Sequence, residues 1–205
     1  MTPEDTSLKL CQGEDMNTDR VLKEDLIFTR KHFERKEEAI RFLCEQLWRK
    51  GYVYETFTNA VLEREEKYPT GLYLGKINVA IPHTDPKHVK QTGVTVLTLD
   101  EPVFFNRMDD PSKSIPVHIV FLFAVSEENE YVQFLSKAVN LFDERILERM
   151  YKENKLNVVK LLKMCSKSKI FIEQNGCETL GDNQFFSLRD NRDLGKQVRD
   201  KLWWM

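Results

Sequence analysis

The sequence lacks the features that would mark several common classes of protein. The longest apolar run, Val117 to Val125, is interrupted by His118 and is far shorter than the roughly 20 residues a membrane-spanning helix needs. No charged segment followed by an apolar one opens the chain, so no signal peptide is predicted. Four cysteines stand singly, without a C-x-x-C pair or a spacing that suits zinc: Cys11, Cys44, Cys165 and Cys177. We therefore expect a soluble, cytoplasmic protein with reduced thiols.

An excess of charge of one sign is also missing. The 31 basic and 33 acidic side chains give a formal net charge of −2, and the lysines and arginines are spread along the chain. Such a chain produces no positive field that would attract nucleic acid or an anionic membrane. No helix-turn-helix or basic region is recognisable either. The sequence therefore predicts neither nucleic-acid binding nor membrane insertion.

The length of 205 residues suits one sizeable domain with appendages. Residues 1–21 are polar and show no period, which is typical of a flexible leader. Residues 22–167 carry the hydrophobic periodicity of a folded domain. Residues 168–205 are polar, end in the pair Trp203-Trp204, and form an appendage whose role the sequence does not indicate. We expect Cys44 to be a buried hydrophobe on a helix face.

Apolar spacing predicts an alternation of helices and strands. The last long strand is apolar on both alternating faces, which is typical of a central strand covered on both sides. Helices on both sides of a mixed sheet make a three-layer α/β/α sandwich, which is the predicted fold class. The predicted helices are Glu37–Lys50, Tyr54–Lys67, Asn129–Phe142, Asp143–Tyr151 and Asn157–Met164, and the predicted strands are Leu26–Thr29, Lys76–Ile81, Gly93–Leu99, Ile115–Val125 and Lys169–Glu173.

One histidine stands where a strand-like segment ends. The segment Ile77 to Ile81 runs into Pro82 and His83, and the proline fixes the backbone φ angle near −65°. A side chain at the end of a strand has a rigid support, so we expect the imidazole of His83 to face solvent and to take part in chemistry. A metal site formed by His83, Asp85 and His88 is disfavoured, because Pro86 constrains the loop and no further strong ligand is evident nearby.

The wider segment, Arg-Glu-Glu-Lys-Tyr-Pro-Thr-Gly-Leu-Tyr-Leu-Gly-Lys-Ile-Asn-Val-Ala-Ile-Pro-His from Arg64 to His83, carries a family resemblance. It resembles the active-site block of enzyme IIA domains of the bacterial sugar phosphotransferase system. The fructose–mannitol class is the one it is similar to, and the galactitol type looks nearest within that class because it shares the Pro-Thr-Gly turn. The resemblance extends roughly over residues 23–167 and implies the same three-layer α/β fold.

The resemblance implies a phosphotransferase that carries phosphate on histidine without a cofactor. It implies that His83 accepts a phosphoryl group from the carrier protein HPr and passes it to enzyme IIB, which serves a membrane component, enzyme IIC. Neutral imidazole suits this task, because one nitrogen attacks while a hydrogen bond to the other fixes the tautomer. Arg64 stands where the family has its active-site arginine, and Thr84 is a further candidate donor to the phosphoryl oxygens.

One departure from the family pattern leaves alternatives open. Mannitol-type members have a second histidine where this chain has Tyr131, whose phenol can donate a hydrogen bond but has no positive charge near pH 7. Either Tyr131 is a weak substitute, or the site depends more on Arg64. His118 is the other candidate replacement, and its apolar neighbours favour a hydrogen-bonded core histidine instead. A regulatory module signalling through phosphorylation, or a degenerate partner-binding domain, therefore remains an alternative function.

Overall fold

The computed structural model of the protein describes residues 22–127 and 142–163. The strands in these two ranges are β1 (Ile27–Lys31), β2 (Gly71–Leu72), β3 (Asn78–Ala80), β4 (Gly93–Asn106) and β5 (Ser114–Ala124). The helices are α1 (Lys36–Arg49), α2 (Phe57–Lys67), α3 (Glu144–Lys152) and α4 (residues 155–163). Short 3₁₀ turns lie at Glu24–Leu26 and Pro86–His88.

Helix α1 shows how the sequence sets its own ends. Acidic Glu37 and Glu38 lie in its first turn and basic Arg49 in its last, which matches the helix dipole. Gly51 follows with φ of +78°, the left-handed conformation that glycine adopts without steric cost. The apolar residues of α1 recur at helical spacing and are buried: Ala39, Ile40, Leu43, Cys44 and Leu47. The prediction that Cys44 is buried is therefore confirmed.

The five strands form one mixed sheet in the order β1-β4-β5-β3-β2. Strand β1 runs parallel to β4 and β3 runs parallel to β5, whereas β4 pairs antiparallel with β5 and β2 with β3. The long strand β5 lies in the middle of this order. Its residues from Ile119 to Ala124 are all buried, as expected for a central strand.

Two hydrophobic clusters cover the two faces of the sheet. One contains side chains of α1 and α2, including Leu43 and Val61, packed on the face that carries Leu122. The other contains side chains of α3 and α4, including Met150 and Val158, packed on the face that carries Phe121. The molecule is thus a three-layer α/β/α sandwich, and the predicted fold class is confirmed.

The strand predictions differ from the structure mainly at β4. The predicted strand ended at Leu99, but β4 continues to Asn106 after an irregularity between Thr98 and Val103. The continuation could not be predicted, because it contains Asp100, Glu101 and Pro102, residue types that usually interrupt a strand. The continuation is possible because its last residues pair with the start of β5. The two-residue strand β2 was not predicted at all.

Four of the predicted helices lie within the described residues, and other predicted segments do not. Helices α1, α2, α3 and α4 match four predicted helices within a few residues. The predicted helix Asn129–Phe142, apart from Phe142, and the predicted strand Lys169–Glu173 lie outside the described residues. The same holds for the leader 1–21, for the appendage 168–205 and for the exact end of the domain at residue 167. Within the described ranges, no helix combines the length and apolar character needed to cross a membrane.

The close packing of Gly71 against β4 generates a stability prediction. A Cβ atom at Gly71 would lie 2.5 Å from the backbone oxygen of Asn106, which cannot move like a flexible side chain. We expect Gly71→Ala to lower the free energy of unfolding by about 2 kcal/mol or more, measured by urea denaturation. Gly51→Ala is the matched control, because its Cβ meets no atom within 4 Å and only its positive φ opposes alanine, at about 1 kcal/mol. A smaller loss for Gly71→Ala than for Gly51→Ala would contradict the argument.

Candidate active site

His83 is held at the end of β3 by two backbone hydrogen bonds that extend the sheet. The amide of Ile81 donates to the carbonyl of Thr70 at 3.3 Å, and the amide of Phe123 donates to the carbonyl of Pro82 at 3.0 Å. His83 then forms an isolated parallel bridge with Phe123 of β5. The histidine therefore continues the line of β3 along the central strand, on a support fixed from both sides.

The expectation that His83 faces solvent is wrong. Its side chain and backbone are only 2% exposed, and the following Thr84 is only 7% exposed. The physical reason is the bridge to Phe123, which keeps the chain beside β5 for three residues after β3 ends, rather than releasing it into a surface loop. A chemical role for His83 must therefore be compatible with a buried imidazole.

The surroundings of His83 fix both its tautomer and its charge. Nδ1 lies 2.8 Å from the carbonyl oxygen of Ile81, and because a carbonyl only accepts hydrogen bonds, Nδ1 must carry the proton. The lone pair is then on Nε2. Burial, and next the positive charge of Arg64, lower the pKa of His83 from 6.5 to about 4. The imidazole is consequently neutral and nucleophilic at Nε2 around pH 7.

Arg64 lies in the last turn of α2 with its side chain 17% exposed. Its guanidinium is near enough to His83 to lower the pKa of the imidazole, and it lies 5.9 Å from the ring centroid of Tyr68. Its Nε–H is buried, and this donor has no hydrogen-bond acceptor among the described residues. The structure thus brings together the two residues, His83 and Arg64, that the sequence singled out as its main site candidates.

Asp85 supplies a negative charge at the edge of this site. One of its carboxylate oxygens lies 3.5 Å from a terminal nitrogen of Arg64, and the other lies 3.5 Å from Nζ of Lys87. The Asp85 side chain is 54% exposed, so water screens both ion pairs. The ion pair between Arg64 and Asp85 is therefore weak, and water can also solvate the carboxylate.

Glu65 is a buried residue of the site whose role sequence reasoning missed. It is 2% exposed, and its two carboxylate oxygens accept hydrogen bonds from the amide of Thr70 at 3.1 Å and the hydroxyl of Thr70 at 2.6 Å. Thr70 in turn accepts from Ile81, whose carbonyl accepts from His83. Glu65 thus connects the helix that carries Arg64 to the strand that carries His83. The sequence signal was the carboxylate next to Arg64, followed by the Pro-Thr-Gly turn.

Burial also sets the charge of Glu65. Loss of solvation raises the pKa of Glu65 from 4.5 to about 7, although the two hydrogen bonds from Thr70 act in the opposite direction. The same loss of solvation lowers the pKa of His83. Burial therefore favours the uncharged form of the acid and of the base alike.

His118 belongs to the sheet and not to the site of His83. Neither β3 nor β4 has a residue in register with His118. The residues before and after it do pair: Val117 with Asn78 and Val103, and Ile119 with Val79 and Thr98. Its Nδ1 accepts the amide hydrogen of Asn78 at 3.2 Å. Phe123 lies five positions beyond His118 along β5, which places His118 roughly 16 Å along the strand from the residue that pairs with His83. The structure thus places His118 as a partly buried, hydrogen-bonded residue of the sheet, away from the strand position that pairs with His83.

The other sequence candidates are placed as follows. Thr84 is buried directly after His83, and Tyr131 lies outside the described residues. His88 faces Thr56, whose hydroxyl lies 2.8 Å from Nδ1 of His88. Within residues 22–127 and 142–163, no group of three or more His, Cys, Asp or Glu side chains is arranged to hold a metal ion.

Comparison with known proteins identifies relatives of this site and fold. The family model "Phosphoenolpyruvate-dependent sugar phosphotransferase system, EIIA 2" matches residues 20–171. The mannitol-specific EIICBA component of Escherichia coli K12 is 35% identical over 128 residues, which is 60% of this chain and 19% of that protein. The galactitol-specific EIIA component of the same strain is 27% identical over 100 residues, 49% of this chain and 66% of that protein. Mannitol-specific and galactitol-specific proteins are thus both among the matches, with higher identity on the mannitol side.

A solved structure supports the same relationship. The Escherichia coli complex of enzyme IIA for mannitol with phosphorylated enzyme IIB for mannitol contains a similar chain, with a TM-score of 0.60 and 32% identity. The alignment covers 70% of this chain and 97% of that one. By contrast, this chain spans only about a fifth of the length of the mannitol EIICBA relative. The similarity therefore concerns one domain of that longer protein.

The raised pKa of Glu65 generates a prediction about stability and pH. The folded state binds the proton of Glu65 more tightly than the unfolded state, so this contribution is full below about pH 4.5 and is lost as pH rises to about 7. In Glu65→Gln, the amide stays neutral, can accept from the Thr70 amide and can donate to the Thr70 hydroxyl. We expect the stability of Glu65→Gln relative to wild type to improve between pH 4.5 and pH 8 by on the order of 3 kcal/mol.

Urea unfolding of both proteins at the two pH values measures this difference. The opposite contribution of His83, whose depressed pKa stabilises the fold above pH 6.5 and less as pH falls toward 4, is present in both proteins and cancels. Glu66→Gln is the control, because the neighbouring Glu66 side chain is 82% exposed. An equal pH dependence for Glu65→Gln and wild type would show that Glu65 is ionised in the fold.

Proposed function

Because the chain belongs to the EIIA 2 family of the phosphoenolpyruvate-dependent sugar phosphotransferase system, we propose that it is a phosphocarrier. In this proposal His83 accepts a phosphoryl group from phosphorylated HPr and donates it to an enzyme IIB partner, which serves a membrane enzyme IIC. The protein itself works as a soluble, cytoplasmic component. The complex of enzyme IIA and phosphorylated enzyme IIB found among the structural relatives supports the choice of IIB as recipient.

The observation that carries the proposal is the state of the His83 ring. A phosphoryl acceptor must be neutral and must offer a lone pair on one defined nitrogen. The hydrogen bond from Nδ1 to the carbonyl of Ile81 supplies the tautomer, and burial supplies the neutral charge. The ring is neutral around pH 7 because the pKa of His83 is about 4, and the hydrogen bond to Ile81 fixes its tautomer.

The transfer step follows from this tautomer. The bond between phosphorus and the histidine nitrogen of HPr breaks as a bond forms between phosphorus and Nε2 of His83. The donor nitrogen keeps the electron pair of the broken bond, and Nδ1 of His83 keeps its hydrogen on the carbonyl of Ile81. Donation to enzyme IIB reverses these roles at His83. Since His83 is 2% exposed, docking of each partner must uncover the imidazole.

Arg64 would stabilise the phosphoryl group in the transition state of transfer. The transition state of phosphoryl transfer spreads negative charge over the equatorial oxygens, and a guanidinium nearby lowers its energy. The buried Nε–H of Arg64 lacks an acceptor among the described residues, which makes it a donor available to a phosphoryl oxygen. Thr84, next to His83, is proposed as a further donor. Tyr131 stays a sequence prediction for the position of the second family histidine.

Phosphorylation of His83 is the first test. We expect wild type incubated with phosphoenolpyruvate, enzyme I and HPr to gain one acid-labile phosphoryl group by intact mass, and His83→Ala to gain none. His32→Ala is the control, because His32 is 57% exposed and paired with Asp100. The wild-type rate should stay nearly constant as pH falls from 8 to 6, since His83 remains neutral over that range.

The outcome separates the alternative functions. A phosphoryl group that passes from His83 to the cysteine of an enzyme IIB establishes the carrier role. Phosphorylation without onward transfer would favour a regulatory module that signals through its phosphorylation state. No phosphorylation by a cognate HPr would leave a degenerate domain that binds partners without chemistry.

Arg64→Ala tests the second site residue. We expect phosphotransfer to His83 to slow by about 100-fold, which is typical of losing one well-placed donor to a charged transition state. Arg49→Ala is the matched control, because Arg49 is 63% exposed in an ion pair with Glu45. The rate is measured by rapid quench, with circular dichroism confirming that each variant folds. An unchanged rate would remove Arg64 from the reacting centre.

A further inference from the structure

The contact between Arg64 and Asp85 has a consequence for the energy of the phosphorylated state. The carboxylate of Asp85 is the anion that the Arg64 guanidinium faces in the unphosphorylated protein, at 3.5 Å. This separation exceeds the 2.7–3.2 Å of an ordinary N–H···O hydrogen bond, so the pair is loose. A phosphoryl group on Nε2 of His83 would bring a second and more strongly charged anion to the same guanidinium.

Asp85 is also placed to give up Arg64 at small cost. Its other carboxylate oxygen lies 3.5 Å from Nζ of Lys87, and its side chain is 54% exposed to water. When Arg64 turns to a new anion, Lys87 and solvent can compensate the carboxylate that stays behind. Arg64 is only 17% exposed, so the guanidinium can exchange one anion for another without travelling into solvent.

We propose that Asp85 is the counter-ion that Arg64 exchanges for the phosphoryl group, and that this exchange makes Asp85 a positioning residue that sets how readily His83 gives up phosphate. This inference rests on the proposed phosphocarrier function. Asp85 competes for Arg64 and repels the phosphoryl oxygens, so it destabilises phosphorylated His83 relative to the unphosphorylated protein. A carrier that must pass phosphate onward gains from such destabilisation, because an acceptor that bound phosphate too well would be a poor donor.

The equilibrium between phosphorylated HPr and His83 tests the exchange. Wild type, Asp85→Asn and Asp85→Glu are mixed with phosphorylated HPr, and the fraction of phosphorylated His83 is read by ³¹P nuclear magnetic resonance. We expect Asp85→Asn to shift this equilibrium toward phosphorylated His83 by about 3- to 5-fold, the upper range for a partly exposed charge pair. Asp85→Glu, which restores the carboxylate, should return the equilibrium toward the wild-type value.

Two controls distinguish electrostatics from a structural effect. Asp25→Asn removes a carboxylate from a surface ion pair with Lys50 and changes the net charge by the same amount, so it should leave the equilibrium unchanged. The effect of Asp85→Asn should shrink in 1 M salt, where the screening length falls to about 3 Å. An effect that is equally large in high salt would show that Asp85 acts by another route and would overturn the exchange.

The results also separate this inference from the function on which it rests. If wild type is phosphorylated on His83 and Asp85→Asn leaves the equilibrium within 1.5-fold, the counter-ion exchange is wrong and the carrier function stands. If wild type takes no phosphate from a cognate HPr, the carrier function and the exchange fall together. A shift toward HPr in Asp85→Asn would show that Asp85 supports the phosphorylated state, which is the opposite of the proposal.

Discussion

The hydrogen bond from Nδ1 of His83 to the carbonyl of Ile81, 2.8 Å long, is the constraint on which the site depends. It decides which nitrogen carries the lone pair, and so gives a direction to everything placed around the ring. The carbonyl can hold this position because the Ile81 amide is bonded to Thr70 and the next carbonyl, of Pro82, is bonded to Phe123. These two hydrogen bonds fix the Ile81 carbonyl, and the carbonyl in turn fixes the tautomer of the His83 ring.

Burial acts on the titratable groups of the site in one consistent way. It lowers the pKa of His83 and raises the pKa of Glu65, so each group is driven toward its uncharged form. Arginine cannot respond in this way, because it stays protonated at any pH at which proteins fold. Arg64 is therefore left as a fixed positive charge beside a neutral ring, with the half-exposed Asp85 as its nearest described counter-ion. Such a site is electrostatically prepared for an anion before any anion arrives.

The sequence was sufficient for the layers of the fold, because these depend on local patterns, and it singled out His83 and Arg64, which the structure brings near each other. The helical spacing of Leu43 and Leu47 and the double-sided apolar run of β5 both describe burial that the structure contains. What could not be predicted depends on contacts distant in sequence. The burial of His83 follows from its pairing with Phe123, and the continuation of β4 past Pro102 follows from pairing with the start of β5. Periodicity carries no information about such partners.

The burial of Glu65 also could not be predicted from the sequence. A carboxylate in the last turns of a helix is usually a solvated surface group, and Glu66 next to it is one, with its side chain 82% exposed. Only the return of the chain through Thr70 buries Glu65 and gives it two donors. The same bonds connect α2 to β3, so the helix bearing Arg64 and the strand bearing His83 are held together by an intervening turn. The turn at Thr70 thus links the helix of Arg64 to the segment of His83, whereas the bridge to Phe123 places that segment beside the central strand.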